Sequence, residues 1–131
     1  MRSIFRACLF LMCLILMGGL AAAQSKHKIT FKKGANSAKV KGTIRGYEYR
    51  DYLIGANAGQ TISVKLASMN TYTMFSIFQP NGANLEGAAQ VVNFGGRLPA
   101  SGDLVIRVAM MRAEARRKRS VSDYSLTVTI N

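Results

Sequence analysis

Short runs in which every second residue is apolar, each ended by a Gly, Asn or Pro turn, leave this chain few folds to choose from. A period of two puts alternate side chains on opposite faces of an extended strand, so the apolar faces can be buried only by stacking sheets or closing a barrel. Such runs span residues 28–32, 38–45, 47–54, 61–66 and 71–78, and the sets Leu104, Ile106, Val108 and Leu126, Val128, Ile130 continue the pattern. Turns are expected at residues 34–37, 55–59 and Pro80-Asn81-Gly82, where proline presets φ and Asn-Gly accepts positive φ. The first two runs read as edge strands. Between residues 83 and 97 the alternation fades and only Val91, Val92 and Phe94 remain as core candidates, which predicts a loop holding one short strand. Tyr49, Tyr52, Tyr72, Phe75 and Phe78 are expected in the core, with the tyrosine hydroxyls satisfied at its edge. No convincing helical period follows the first 23 residues. Seven or eight short strands predict an all-β antiparallel sandwich or barrel.

Residues 1–23 read as an export signal rather than as part of the fold. Arg2 and Arg6 precede an apolar stretch from Ala7 to Leu20, and Ala21-Ala22-Ala23 supplies small residues for cleavage before Gln24. The stretch is shorter than the roughly 20 residues of a spanning helix, so no stable membrane insertion is expected after cleavage. Phe10-Leu11-Met12 lacks the small residues that a lipoprotein signal places ahead of its cysteine, here Cys13. Cys8 and Cys13, the only cysteines, leave with this segment. Residues 24–131 must then fold without disulfides, and a chain of about a hundred residues suffices for a single compact domain.

Removing Arg2 and Arg6 leaves sixteen Lys and Arg against six Asp and Glu, a net charge of +10. An acidic protein surface, nucleic acid, anionic lipid or an anionic cell-wall polymer would each complement it. Five of the cations, Arg112, Arg116, Arg117, Lys118 and Arg119, fall within eight residues and are offset only by Glu114. Alternating runs flank them, so this span is expected to connect two antiparallel strands. A loop held at both ends by a sheet presents its charges in a fixed geometry.

Catalytic chemistry is almost absent. A zinc site needs three or four ligands, whereas residues 24–131 offer one histidine and no cysteine. That residue, His27, sits where the new N-terminus is expected to fray, a poor place for an oriented base. The carboxylates Glu48, Asp51, Glu86, Asp103, Glu114 and Asp123 are scattered, which disfavours a paired-carboxylate glycosidase. Gly95-Gly96 and the glycines at 55 and 59 match neither a Walker loop nor a dinucleotide fingerprint. No enzymatic activity, metal or cofactor is expected.

Several segments resemble the periplasmic inhibitors of goose-type (g-type) lysozyme from Gram-negative bacteria. They are Phe31-Lys32-Lys33-Gly34, Gly42-Thr43-Ile44-Arg45-Gly46-Tyr47-Glu48-Tyr49, Gly59-Gln60, Asn70-Thr71-Tyr72, Leu98-Pro99-Ala100-Ser101-Gly102, Arg107-Val108 and Arg112-Ala113-Glu114-Ala115-Arg116. Leu-Pro-Ala-Ser-Gly before an alternating strand also resembles the small secreted prepeptidase C-terminal-like β-sandwiches, so it speaks to fold. The Gly-Tyr-x-Tyr element and the Arg-x-x-x-Arg span narrow the match, while residues 69–98 depart from the family's pattern. The resemblance implies a monomeric antiparallel β-sandwich, exported to the periplasm, whose partner is a goose-type lysozyme rather than nucleic acid. In that family the corresponding tyrosine and two arginines lie in loops that enter the lysozyme's active-site cleft, which implies Tyr47, Arg112 and Arg116 as binding residues here.

Taken without the resemblance, Tyr47 reads as a core aromatic at a strand end, and Arg112 and Arg116 read as surface charges. Arg117, Lys118 and Arg119 read as a solvated rim that steers an acidic partner. The alternative from another class is a cationic module that binds the cell wall or another polyanion.

Overall fold

A computed structural model describes residues 26–131; the expected export signal and its two cysteines lie outside the described residues. Among the described residues, eight strands and one helical turn follow in the order β1 (Lys26–Lys28), β2 (Ser37–Arg45), β3 (Tyr49–Ala56), β4 (Thr61–Ser68), β5 (Thr73–Phe78), β6 (Asn93–Arg97), β7 (Gly102–Met110), α1 (Arg112–Ala115) and β8 (Val121–Ile130). They form two four-stranded sheets, ordered β1-β3-β7-β5 and β2-β8-β4-β6. Among these strands only the β1–β3 pairing is parallel. The fold is therefore a β-sandwich.

Alternation in sequence becomes alternation in burial. Leu104, Ile106, Val108 and Met110 of β7 point inward, and Tyr124, Leu126, Val128 and Ile130 of β8 face them from the other sheet. Ile44, Ile54, Ile62, Val64, Phe75 and Ile77 complete the centre. Each such side chain contributes about 1.5–3 kcal/mol relative to exposure, enough together to hold a domain without disulfides.

Of the two predicted edge strands, the run at 38–45 lies within β2 at the edge of one sheet, whereas the run at 28–32 is not a strand beyond Lys28, and the edge strand of the other sheet is β1 just before it. The apolar run at 28–32 does not pair with β2: the segment after β1 crosses the sandwich, with Ile29 buried and Phe31 packed against the core. His27, expected to fray, lies in β1 opposite Tyr52. Residues 83–97 hold one short strand, β6, as expected. The buried residues before it are Leu85 and Ala88, whereas Val92 is exposed.

The five aromatics expected in the core divide three ways. Tyr52 and Phe75 are buried, and the Tyr52 hydroxyl meets that of Tyr124 at 2.6 Å across the two sheets. Tyr124 lies opposite Gly42 in the ladder, where a Cβ would come within 2.5 Å of its hydroxyl oxygen, so only glycine leaves room for the ring. Tyr49 and Phe78 instead flank Arg107 on the outer face, with the guanidinium carbon 4.2 and 5.3 Å from the two ring centroids. Arg107 also grips the buried Asp51 with two hydrogen bonds, Nε to Oδ1 at 2.8 Å and a terminal nitrogen to Oδ2 at 3.0 Å. Tyr72 is half exposed, and the reason lies in the loop it ends.

Candidate functional site

Three connections cross between the sheets at one end of the sandwich. β2 ends at Arg45 opposite Val121, where β8 starts, and β3 starts at Tyr49 opposite Ala109 of β7. On the other side β4 ends at Ser68 opposite Tyr124, and β5 starts at Thr73 opposite Met110. The β7–β8 connection, residues 111–120, therefore runs in the middle. The β2–β3 loop, 46–48, flanks it on one side and the β4–β5 loop, 69–72, on the other. The basic span does join two strands, but β7 and β8 belong to opposite sheets and do not pair.

The middle connection begins with an unpredicted helical turn, α1. Alanine and glutamate favour the helix, and four residues are too few to display a period. Buried Ala115 pins the turn, and its backbone N–H donates to the Met111 carbonyl at 2.8 Å. Arg112 and Arg116 are exposed and four residues apart, the spacing that aligns side chains along one helical face. Neither joins an ion pair among the described residues.

Glu114 is not free to neutralise them. Its Oε1 accepts a hydrogen bond from Asn70 Nδ2 at 3.0 Å, and its Oε2 lies 3.4 Å from the Arg117 guanidinium. Arg117 thus separates from Lys118 and Arg119, with which the sequence grouped it. Arg119 adopts a left-handed conformation, φ 61°, which is uncommon for a residue other than glycine, as the chain turns back into β8.

Tyr47 occupies the tip of a tight turn and is 64% exposed, so it is not a core aromatic. The Glu48 N–H closes that turn on the Arg45 carbonyl at 3.0 Å, and Gly46 takes the positive φ of 58° that it requires. The Gly46 N–H donates to the Ser120 carbonyl at 3.1 Å, tying the tyrosine loop to the basic connection. The three predicted binding residues therefore share one end of the molecule on two hydrogen-bonded segments.

Sequence reasoning missed part of this end. Six large hydrophobic side chains are exposed among the described residues, and Tyr47, Met69, Tyr72, Met111 and Val121 all lie on or beside these three connections; the sixth is Val92. The β-branched and aromatic run at 71–78 concealed Tyr72, because a strand and a tight loop entering it share that composition. Asn70 is the discriminating signal. Its side chain accepts the Tyr72 N–H at 3.0 Å, which turns the chain before β5 begins.

The larger grooves are lined by none of these connections, and a small one of about 160 Å³ reaches Met111. One of about 670 Å³ on the outer face has Tyr49, Phe78 and the mutually paired Asp51 and Arg107 among its lining residues. Among the described residues no group of three or more His, Cys, Asp or Glu could hold a metal ion.

This arrangement is that of a small β-sandwich recognition domain, with unpaired guanidinium groups and exposed apolar side chains gathered on loops at one end. No family model matches the chain. It is 30% identical over 132 residues to the inhibitor of g-type lysozyme of Escherichia coli K12, a match taking in 98% of this chain and 97% of that protein. The crystal structure of Aeromonas hydrophila PliG, a periplasmic lysozyme inhibitor of g-type lysozyme, is 37% identical with a TM-score of 0.71, covering 82% of this chain and 96% of PliG. Salmonella Typhimurium PliG, described in the same words, is 30% identical with a TM-score of 0.66, covering 82% and 98%. The chain belongs to the family of periplasmic inhibitors of g-type lysozyme.

Proposed function

We propose that this protein, matured by removal of residues 1–23 to a monomeric domain of residues 24–131, inhibits a goose-type lysozyme by inserting loops into its active-site cleft, and so protects peptidoglycan. The observation that carries this reading is the meeting of Tyr47, Arg112 and Arg116 at one end of a fold shared with lysozyme inhibitors.

Lysozymes cleave glycosidic bonds with a carboxylic acid held in a partly dry cleft. A guanidinium is permanently charged and offers a planar fork of donors, so it suits a bidentate contact with that carboxylate. At about 4 Å such a pair interacts by roughly 4 kcal/mol near a protein surface, before desolvation. Tyr47 adds a large, stiff contact area at low entropic cost. Lys118 and Arg119 steer an acidic partner without fixing the final pose. No bond to the enzyme needs to form and no cofactor is required.

The polyanion-binding alternative has one observation behind it. On the outer face of the β2-β8-β4-β6 sheet, exposed Lys39 and Lys65 flank Thr127 from opposite sides, and Lys41 and Arg97 are exposed nearby. Turbidity loss of a peptidoglycan suspension separates the readings. Goose-type and chicken-type lysozymes are each titrated with residues 24–131, at low and at ~0.15 M salt. Saturable inhibition of the goose-type enzyme that survives the higher salt supports the inhibitor. Equal protection against both enzymes, or protection that vanishes with salt, supports the polyanion binder.

A further inference from the structure

We propose that the β4–β5 loop is a third element of the lysozyme-binding surface, with Met69 and Tyr72 packing against apolar surface beside the enzyme's catalytic carboxylate. This rests on the inhibitor reading and extends it to a loop that carries neither Tyr47 nor the arginines.

A guanidinium gains little from a carboxylate while water screens the pair, and it gains much once neighbouring contacts exclude water. Arg112 and Arg116 ride on the middle connection, so they need cover on both flanks. Tyr47 can supply one flank. On the other, Met69 is 83% exposed and Tyr72 is 50% exposed.

These side chains are exposed on a backbone that is already ordered. The Met69 N–H donates to the Asp123 carbonyl at 3.0 Å, and the Thr73 N–H to the Asn70 carbonyl at 3.0 Å. The Met111 N–H donates to the Tyr72 carbonyl at 2.9 Å, joining this loop to the start of the basic connection. Binding therefore costs little loop entropy, and the flexible thioether of Met69 adapts to an irregular rim. A second copy of this chain is a poor occupant, since a symmetric contact here would bring the unpaired arginines of two copies together.

The test measures binding of goose-type lysozyme to the mature protein at ~0.15 M salt by surface plasmon resonance. Wild type is compared with Met69→Ser/Tyr72→Ala, with Arg112→Ala, and with Val92→Ser as an exposed apolar control outside this end. The double variant is expected to bind at least about tenfold more weakly, mainly through faster dissociation, with its melting temperature unchanged within about two degrees. Val92→Ser should bind as wild type. Unaltered binding by the double variant, with Arg112→Ala weakened, overturns the third loop and leaves the inhibitor reading standing. Absence of wild-type binding overturns both.

Discussion

Asn70 Nδ2 donates to Glu114 Oε1 at 3.0 Å, so the loop bearing Met69 and Tyr72 is fastened to the helical turn bearing Arg112 and Arg116. The contact is part-buried and joins residues 44 positions apart. It occupies the sole acid of the basic span with positioning work.

Two substitutions isolate that role. Glu114→Gln and Glu114→Ala remove the same charge, but glutamine keeps an acceptor oxygen for Asn70. Glu114→Ala is expected to weaken inhibition several-fold more than Glu114→Gln and to cost about 1 kcal/mol of stability, the worth of one hydrogen bond. Identical inhibition constants for the two would show that only the charge of Glu114 matters.

Tyr47→Ala, Arg112→Ala and Arg116→Ala should each weaken inhibition by about 2–5 kcal/mol if the arginines are desolvated in the complex and Tyr47 is an anchor. All three side chains are exposed in the free protein, so the melting temperature should move by no more than a degree or two. Isothermal titration against goose-type lysozyme, paired with thermal unfolding, checks both halves. Wild-type affinity in any one variant removes that residue from the site.

The strands were legible because one physical rule, burial of alternate faces, writes itself along contiguous residues: β7 shows Leu104, Ile106 and Val108, and β8 shows Leu126, Val128 and Ile130. The site was legible only in part. That Gly46 bonds to Ser120 follows from the pairing of Arg45 with Val121, a register set across the whole chain rather than by any local pattern. The helical turn at Arg112 was too short to show a period. Tyr72 falls outside β5 because the Asn70 side chain, not hydropathy, decides where that strand starts. Gly42 and Tyr124 show the same limit, since a glycine in one strand and a tyrosine in another reveal their partnership only once β2 and β8 are aligned.

Arg107 resembles the site arginines in sequence but should behave differently. Its guanidinium neutralises Asp51, whose side chain is only 5% exposed, and stacks over Tyr49 and Phe78. Arg107→Ala would leave a buried carboxylate unpaired. The expected loss is about 3 kcal/mol of stability, the low end for breaking a buried pair, because Arg107 keeps 40% of its side chain in water. Chemical denaturation measures it. A variant that unfolds at the wild-type midpoint would show the pair to be a surface contact.

The Tyr52–Tyr124 contact should set the alkaline limit of the fold. Burial first, and then the hydrogen bond with Tyr52, hold the Tyr124 phenol above its ordinary value of 10.0, against the opposing pull of the Arg50 guanidinium. A phenol whose folded value is raised stabilises the protein fully below its unfolded value, and the contribution is lost as pH climbs through the folded one. Stability should therefore not respond to this group below about pH 9 and should fall above about pH 10, where the unfolded chain ionises first. Tyr124→Phe removes the titration and takes from the buried Tyr52 hydroxyl its Tyr124 contact, leaving it beside the Arg50 guanidinium. That variant should be less stable at neutral pH by about 1–2 kcal/mol, yet lose stability more gradually between about pH 9 and 11. Parallel losses over that window would exclude Tyr124 as the group responsible.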